Sequence, residues 1–308
     1  MPHPLFVQDF DYIIKGIVIN YRELVRTKKF TYLEYKKRLI KTWDEIAPRY
    51  HKRWAKNNIG PFRSSSELVK LANIQTGYAV LDLACGTGAI TKRITTRVGS
   101  TGKVVGVDSS ISAIKIAKKE NNHKTNLDFV LSDAEFIKFN KKFDVVTCQY
   151  ALFFFPNAHK VLQNIKQYLK KNGTLALTLH GNKDSVPYFS SILDVIIKFI
   201  PDYTPQGTPN LDRFGTKEQL KKAISKAGFT NIRIQEYVFT YRPGTFSDYW
   251  QNYLKYLSKP LKEKIKTLSI IQKQKMKDQI KQKTIPYTKK NGQIIFPWKV
   301  LILTAKRP

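Results

Sequence analysis

The chain has 308 residues and 42% of them are hydrophobic, which permits one large domain or one domain with insertions. The formal net charge of +31 favours anionic partners, namely nucleic acid, an acidic membrane surface or a negatively charged substrate. No signature of a nucleic-acid-binding module accompanies that charge, so a solvated lysine-rich surface is the simpler interpretation.

Cysteine content and apolar patterning indicate the compartment. The two cysteines, Cys85 and Cys148, lie at the ends of strand-like runs, which predicts a reducing environment without a disulfide framework. The sequence does not open on a basic segment followed by an apolar run, as a secretory signal does. Asp194 and Lys198 interrupt the most apolar helix candidate, so no transmembrane segment is expected. We therefore expect a soluble cytoplasmic protein.

The N-terminal part of the chain has a helical pattern. Apolar residues recur at helical spacing over residues 10–25 and 32–46. Ser64 and Glu67 have the spacing of a capping box, which predicts that a helix begins there. We expect an N-terminal helical extension over residues 1–60, followed by a main domain over residues 61–308.

A strand, a glycine turn and a helix follow. The apolar run 78–83 carries one acid, Asp82, and the chain then breaks at Gly86 and Gly88. This is the front of a nucleotide-binding βαβ unit, in which glycines let the backbone approach a ligand closely. Thr91 stands where a dinucleotide fingerprint needs its third glycine, and the lysine of a P-loop is absent. A carboxylate at this turn would repel a phosphate but would tolerate a cationic amine and a sulfonium.

Later strand-like segments also end in polar residues. The second strand ends in Asp108, 20 residues after Gly88, where a carboxylate reaches both ribose hydroxyls of a nucleotide. Asp133 follows the third strand, Gln149 ends the fourth and His180 follows the fifth. Ligands of parallel sheets bind beyond the carboxyl ends of the strands, so these residues converge on one site.

The order of elements predicts an α/β fold. Strands and helices alternate up to residue 180, which indicates a parallel sheet with helices on both faces. Two helical insertions follow: a lid insertion at residues 182–215, and a basic insertion at residues 243–291. The strand at residues 231–241 alternates in polarity, as an edge or antiparallel strand does.

The basic insertion combines charge with an apolar stripe. Residues 255–290 contain twelve lysines and two acids, and four aromatic residues lie at its start. Basic residues interleaved with aromatics can bind RNA. A solvated helix is the simpler interpretation, with four apolar side chains packed inward: Leu261, Ile265, Leu268 and Ile271.

Several of these motifs together resemble those of an enzyme family. The pattern Asp82-x-x-x-Gly86-x-Gly88, with alanine at the first small position, resembles motif I of class I S-adenosylmethionine (SAM)-dependent methyltransferases. Residues 43–50 resemble the segment that precedes the domain in type 11 methyltransferases, the group of ubiquinone- and menaquinone-biosynthesis enzymes. The resemblance spans residues 45–240 and the final strand.

The resemblance implies a fold, a cofactor and a set of binding residues. The sheet would be Rossmann-like, seven-stranded and mostly parallel, with an antiparallel last strand. The cofactor would be SAM and the product S-adenosylhomocysteine. Asp108 would bind the ribose, Asp133 and Ala134 the adenine, and Tyr50 would cover the methionine end. The expected cofactor-binding residues are Tyr50, Asp82, Ala84, Gly86, Gly88, Asp108, Ser109, Asp133, Ala134 and Gln149.

The chemistry of methyl transfer makes few demands on side chains. It is an in-line displacement, so the enzyme mainly aligns two reactants and excludes water. A general base is needed only when the acceptor is protonated at the working pH. His180 and Tyr150 are the candidates for that role, and no metal site is expected.

The acceptor is inferred from the segments that would surround the methyl group. The apolar lid insertion and the apolar loop 151–155 favour a small or lipid-like acceptor, and the methylated atom is left open. The Asn/Asp-Pro-Pro-aromatic motif of nucleic-acid amino-methyltransferases is absent, and Cys148 lacks the preceding proline of a C5-cytosine enzyme. Two separate cysteines do not suit an arsenite methyltransferase. An RNA methyltransferase, or a protein that binds SAM or nucleic acid through its basic surface, is the alternative; peripheral contact with an acidic membrane and the oligomeric state stay open.

Overall fold

The structure of the chain is a computed structural model that describes residues 29–57, 59–201, 208–256 and 259–308. The helix expected at residues 10–25 lies outside the described residues, as does the rest of residues 1–28 of the N-terminal extension. The lid insertion is described except for residues 202–207.

Seven strands form one sheet. They are β1 (Ala79–Leu83), β2 (Lys103–Asp108), β3 (Leu127–Leu131), β4 (Phe143–Gln149), β5 (Leu169–His180), β6 (Thr230–Gly244) and β7 (Ile294–Lys306). Their order across the sheet is β3-β2-β1-β4-β5-β7-β6. Neighbours from β3 to β5 pair in parallel, whereas β7 pairs antiparallel with both β5 and β6. The predicted seven-stranded sheet with an antiparallel last strand is confirmed, and β6 lies at its edge.

Helices surround the sheet. They are α1 (Lys29–Tyr50), α2 (Ser65–Leu71), α3 (Ala89–Val98), α4 (Ile111–Glu120), α5 (Ala158–Tyr168), α6 (Pro187–Phe199), α7 (Lys217–Lys226), α8 (Phe246–Tyr256), α9 (Lys259–Thr267) and α10 (Ile270–Thr284). Local capping explains several helix starts: the Asn157 side chain accepts from the Lys160 backbone N–H at the start of α5. Thr216 and Gln219 form a complete capping box at the start of α7.

The core runs along the centre of the sheet. On β1, Val80, Leu81 and Leu83 have no exposed surface, and on β4 the same holds for Val145 and Val146. Parallel strands covered on both faces are apolar throughout rather than alternating, which is the pattern that the sequence shows here. The burial of apolar surface thus fixes where β1 and β4 lie, and with them the position of the glycine turn.

Two local predictions were wrong. The Ser64 hydroxyl does not cap α2, because it lies 2.6 Å from the Tyr150 hydroxyl and helical backbone already precedes it in a 3-10 turn, Gly60–Ser64. The pair Asn172-Gly173, whose sequence predicts a helix stop, does not end α5, which stops at Tyr168. Instead they form an irregularity within β5, where backbone hydrogen bonds join them to Arg307 at the end of β7.

The lid insertion is part of the core. Helix α6 buries Tyr188, Ile192, Val195 and Ile196 in the main hydrophobic cluster. Its outer side meets α10 of the basic insertion, where Lys283 Nζ lies 3.3 Å from Asp194 Oδ2. The two insertions therefore support each other beside the carboxyl ends of β4 and β5.

The basic insertion folds as three short helices, α8 to α10. Leu261 is buried and Ile265 and Leu268 are half-buried, as expected, but Ile271 is 80% exposed. The prediction that Ile271 packs inward was wrong because the helix breaks at Ser269, which caps α10 in a capping box with Gln272. The spacing of buried residues starts again in α10, whose buried face consists of Met276, Ile280 and Thr284.

The acid of the first strand joins three elements. Asp82 has no exposed surface. The Thr91 hydroxyl on α3 donates to its Oδ2 at 2.6 Å, and the Thr147 hydroxyl on β4 donates to its Oδ1 at 2.7 Å. Burial raises the pKa of Asp82 to about 6, and the two hydroxyl hydrogen bonds oppose that rise.

An arginine of the lid insertion fixes the loop after β4. The Arg213 guanidinium donates to four carbonyl oxygens in this loop: Leu152 at 3.4 Å, Phe153 at 3.2 Å, Pro156 at 3.3 Å, and Phe155. A guanidinium offers five N–H donors in a planar fork, so one side chain can satisfy several carbonyl groups. Arg213 therefore sets the course of the segment that would face the methyl group.

We expect the buried carboxyl of Asp82 to make the fold less stable as pH rises. Its pKa is raised from an ordinary value of 3.8 to about 6, so the folded chain binds this proton more tightly than the unfolded chain. The resulting stabilisation is complete below about pH 4 and is lost as pH rises to about 6, a change of about 3 kcal/mol. Asp82→Asn removes this titration, so urea unfolding should show the stability of the wild type, relative to the variant, falling across that window.

Asp128→Asn on β3 is the matched control, because Asp128 is exposed. Its stability difference from the wild type should stay nearly constant over the same pH range. A wild-type advantage over Asp82→Asn that does not change with pH would contradict the assignment.

Replacement of the guanidinium should loosen the loop after β4. An ammonium group cannot reach four carbonyl oxygens at once, so we expect Arg213→Lys to lower the free energy of unfolding by about 2 kcal/mol. Backbone amides of residues 152–156 should exchange hydrogen faster in the variant, as measured by mass spectrometry. Arg242→Lys, at an exposed arginine, is the control, and equal exchange in both variants would refute the clamp.

Candidate active site

The glycine turn lies at the centre of the sheet, where β1 ends. Its backbone enters the left-handed region three times, at Ala84 (φ 54°), Gly86 (φ 56°) and Gly88 (φ 79°). A Cβ on Gly88 would lie 3.0 Å from Phe129 Cζ, so this position requires glycine for space as well as for φ. A Cβ on Gly86 would point into open space, which leaves the outer side of the turn accessible to a ligand.

Asp108 connects the turn to the neighbouring strand exit. Its Oδ2 accepts from the Gly86 N–H at 2.8 Å, and its Oδ1 accepts from the Ser110 N–H at 2.8 Å. Burial raises the pKa of Asp108, while these backbone hydrogen bonds favour the ionised form. The carboxylate is thus held in one orientation at the edge of the turn.

Five of the expected cofactor-binding residues line a single cavity. It lies beyond the carboxyl ends of β1, β2 and β3, is about 40 Å³ in volume, and its lining includes Ala84, Asp108, Ser109, Asp133 and Ala134. Residues from α1 and from the loop after β4 close it on the outer side, among them Lys36, Ile40 and Phe154. A cavity of this size is far smaller than a nucleoside-binding pocket, and α1 and the loop after β4 form its outer wall.

Helix α1 crosses the three strand exits and makes a polar contact at each. Lys36 Nζ forms ion pairs with Asp133 and Glu135 after β3. The Ser110 hydroxyl after β2 donates to Asp44 Oδ1 at 2.7 Å. At the glycine turn, a ring nitrogen of His51, the residue after α1, lies 2.8 Å from the Thr87 hydroxyl.

These contacts were not foreseen from the sequence. Burial lowers the pKa of Lys36, and Asp133 opposes that shift. Nothing in the spacing of Lys36 distinguishes it from the other lysines of the chain. Asp44 lies within the segment 43–50 that resembles the family, which was the one available signal for its position.

The remaining expected cofactor residues lie away from this cavity. Asp82 is enclosed between β1, α3 and β4, with both carboxylate oxygens accepting from threonine hydroxyls. Gln149 is buried, and its Oε1 accepts from the Ser65 hydroxyl at 3.1 Å. Tyr50 packs edge-on against Trp54 and Trp43, with ring centroids 5.0 and 5.4 Å away. In this arrangement Asp82 and Gln149 organise the elements on which the site is built.

His180 is held as a neutral hydrogen-bond donor. The Trp298 indole N–H donates to His180 Nδ1 at 2.9 Å, and since an indole nitrogen only donates, the imidazole proton must be on Nε2. Burial lowers the pKa of His180 to about 3. This geometry argues against general-base catalysis by His180, because its single basic nitrogen is already engaged.

Tyr150 lies directly against His180. The two rings stack with centroids 4.3 Å apart, and Tyr150 has a left-handed backbone with φ 55°. Burial raises the pKa of Tyr150, so its hydroxyl stays protonated at neutral pH. Together the two side chains form a neutral, planar surface at the exits of β4 and β5.

An aromatic cluster continues this surface. Tyr188 stacks on Trp298 with centroids 5.3 Å apart, and Phe189 packs against both Trp298 and His180 at 5.2 and 5.5 Å. Trp54 approaches Trp298 edge-on at 6.3 Å. The lid insertion, β7 and the segment after α1 thus contribute rings to one apolar region at the exits of β4 and β5.

Neither a metal-binding cluster nor a membrane-spanning helix is found among the described residues. Within residues 29–57, 59–201, 208–256 and 259–308, no group of three or more His, Cys, Asp or Glu side chains is arranged to hold a metal ion. Over the same residues, no helix is both long and apolar enough to span a bilayer.

Comparison with known proteins identifies the family. A family model described as a methyltransferase domain matches residues 74–228, half of the chain. Demethylmenaquinone methyltransferase of Staphylococcus saprophyticus is 27% identical over 207 residues, which are 62% of this chain and 83% of that protein. The Staphylococcus aureus enzyme of the same name is 26% identical over 221 residues, 66% of this chain and 89% of that protein.

Solved structures share the fold at lower identity. A Bacillus halodurans protein, assigned provisionally as a methyltransferase, superposes with a TM-score of 0.56 at 22% identity, covering 80% of this chain and 99% of that one. Phosphoethanolamine N-methyltransferase 2 of Haemonchus contortus, solved with phosphomonomethylethanolamine and S-adenosylhomocysteine, superposes with a TM-score of 0.54 at 17% identity, covering 86% of this chain and 57% of that one. With the glycine turn, the Asp108 contact and the sheet order in place, the chain belongs to the methyltransferase domain family and is a class I SAM-dependent methyltransferase.

Proposed function

We propose that this enzyme methylates an apolar, planar acceptor of the quinone type, bound against Phe189, the partly exposed ring of the aromatic cluster that it forms with the buried rings of Trp54, Tyr188 and Trp298. The observation that carries the proposal is the contact of this cluster with His180 and Tyr150 at the exits of β4 and β5. Planar rings stack on such surfaces with offset or edge-on geometry. The name of the staphylococcal relatives supports the same acceptor class.

The cofactor-binding roles follow from the geometry around Asp108. Each carboxylate oxygen of Asp108 has accepting capacity beyond the one backbone N–H that it binds, so both ribose hydroxyls can donate to it. Asp133 would accept from the adenine amino group once Lys36 has moved, and the Ala134 backbone would donate to a ring nitrogen. Gly86 and Gly88 would leave room for the methionine end, and Tyr50 would cover it.

The bound cofactor supplies an electrophilic methyl group on a positively charged sulfur. The residues of this chain then have to hold the acceptor atom in line with that group and keep water away. His180 and Tyr150 are both neutral and can only orient the acceptor by donating hydrogen bonds or by stacking. The acceptor atom must therefore be nucleophilic before it binds, as a ring carbon of a reduced quinone is.

RNA is a poorer fit to the described surface. Binding of single-stranded RNA uses exposed aromatic rings on which bases stack. Three aromatic residues of the basic insertion, Tyr249, Trp250 and Tyr253, are buried and at most 9% exposed. The lysines alone would bind a polyanion without recognising bases.

We expect Asp108→Ala to weaken SAM binding by about 100-fold or more, because two hydrogen bonds to a charged acceptor are lost. Isothermal titration calorimetry with SAM measures this directly. Asp128→Ala, at an exposed carboxylate on β3, should bind SAM like the wild type. Asp108→Asn keeps the size of the side chain and separates loss of charge from loss of folding; wild-type affinity in both Asp108 variants would refute the assignment.

A labelled-methyl assay tests the acceptor class. With SAM labelled in its methyl group, we expect transfer to a reduced 1,4-naphthoquinone with an open ring position, and none to transfer RNA. Phe189→Ala should raise KM for the quinol by about tenfold through loss of apolar contact, with the Kd for SAM unchanged.

Ile197→Ala is the control on the same helix, because Ile197 is 44% exposed and should leave KM unchanged. Turnover of RNA without turnover of the quinol would overturn the proposal. So would an equal effect of both substitutions on KM.

A further inference from the structure

The turn between α9 and α10 exposes two adjacent isoleucines. Ile270 and Ile271 are 85% and 80% exposed, the highest values for large hydrophobic side chains in the described part of the chain. They form the first turn of α10, directly after its cap Ser269, and so lie at the tip of the corner between α9 and α10. Single exposed apolar residues are ordinary, but an adjacent pair at a tip leaves a concentrated apolar surface in water.

Positive charge surrounds this tip. Residues 262–277 contain six lysines and one acid. The acid, Glu263, is paired with Lys266 at 3.0 Å on the surface. The tip therefore combines an exposed apolar pair with the lysines of α9 and α10 that flank it in the sequence, a pattern that matches an anionic, apolar-centred partner.

The buried faces of α9 and α10 anchor the tip to the domain. Met276 and Ile280 of α10 and Leu261 of α9 are buried. Helix α10 packs on α6, and Lys283 pairs with Asp194 of that helix. The tip is thus presented by a fixed element rather than by a loose tail.

We propose that this tip, Ile270 and Ile271 with the lysines of residues 262–277, docks the enzyme on an anionic lipid bilayer. The isoleucines insert at the level of the headgroups and upper acyl chains, and the lysines contact the lipid phosphates. An aliphatic pair cannot stack on bases, so single-stranded nucleic acid fits this surface less well.

Docking through the tip would also serve the acceptor, a point that rests on the proposed function. Helix α6, against which α10 packs, carries Tyr188 and Phe189 of the aromatic cluster. A bilayer at the tip would place α6 on the side of the protein that an apolar acceptor reaches from the membrane. The docking itself depends on neither SAM nor the acceptor.

Sedimentation of the full chain with lipid vesicles tests the proposal. The vesicles contain equal parts of phosphatidylglycerol and phosphatidylcholine, and no acceptor is present. We expect the wild type to bind, and the double variant Ile270→Glu/Ile271→Glu to bind at least tenfold more weakly. Glutamate at the start of a helix is tolerated, so folding should be preserved, and SAM affinity by calorimetry checks this.

Two further variants make the result specific. Val238→Glu, at a residue 66% exposed on the edge strand, is the matched control and should bind vesicles like the wild type. Lys266→Gln and Lys273→Gln should each weaken binding about fivefold at low salt, and binding to vesicles of phosphatidylcholine alone should be much weaker for all proteins.

Three outcomes would overturn the docking surface: a wild type that does not sediment with the mixed vesicles, a tip variant that binds as well as the wild type, or RNA binding that the tip variant loses while vesicle binding persists. Because no methyl transfer is measured, these outcomes are independent of the acceptor assay. An enzyme that methylates a quinol in detergent but ignores vesicles would retain the proposed function and lose only the docking surface.

Discussion

The hydrogen bonds of Asp108 are the constraint on which the site depends. One carboxylate fixes the first residue of the glycine turn after β1 and the start of α4 after β2, through the N–H groups of Gly86 and Ser110. Two strand exits are thereby held at a set distance, as parallel pairing of β1 with β2 also requires. Any ligand that bridges these exits meets a carboxylate whose position and charge are already determined.

The sequence carried enough information to predict the sheet, because short-range patterns encode it. Continuous apolar strands, the glycine turn and acids at strand ends are local features, and they fixed the order of elements and the cavity lined by Ala84, Asp108 and Asp133. The cover over that cavity was not predictable in this way. Lys36 pairs with Asp133, a residue far from it in the sequence, and no local sequence pattern identifies such a partner. Arg213 and the loop after β4 are joined by the same kind of long-range contact.

Burial shapes the chemistry as much as residue type does. His180 and Tyr150 looked like proton acceptors because of their position after β4 and β5. In the fold, the Trp298 indole N–H occupies the basic nitrogen of His180, and burial raises the pKa of the Tyr150 hydroxyl. The aromatic packing that makes the region suitable for a flat apolar ligand is also what removes its bases. The acceptor proposed above, which is nucleophilic before it binds, suits a region without a free base.

The basic insertion shows how one break in a helix redistributes a surface. A single helix through residues 261–271 would have turned Ile271 inward with Leu261, which is what its spacing predicted. The capping box at Ser269 ends that period, and α10 then buries Met276 and Ile280 while Ile270 and Ile271 face water. Exposed apolar surface costs stability unless something covers it. The lysines near the tip favour an anionic surface as that cover. The helix break at Ser269, which makes the predicted apolar spacing fail at Ile271, is therefore also what exposes the apolar pair beside these lysines.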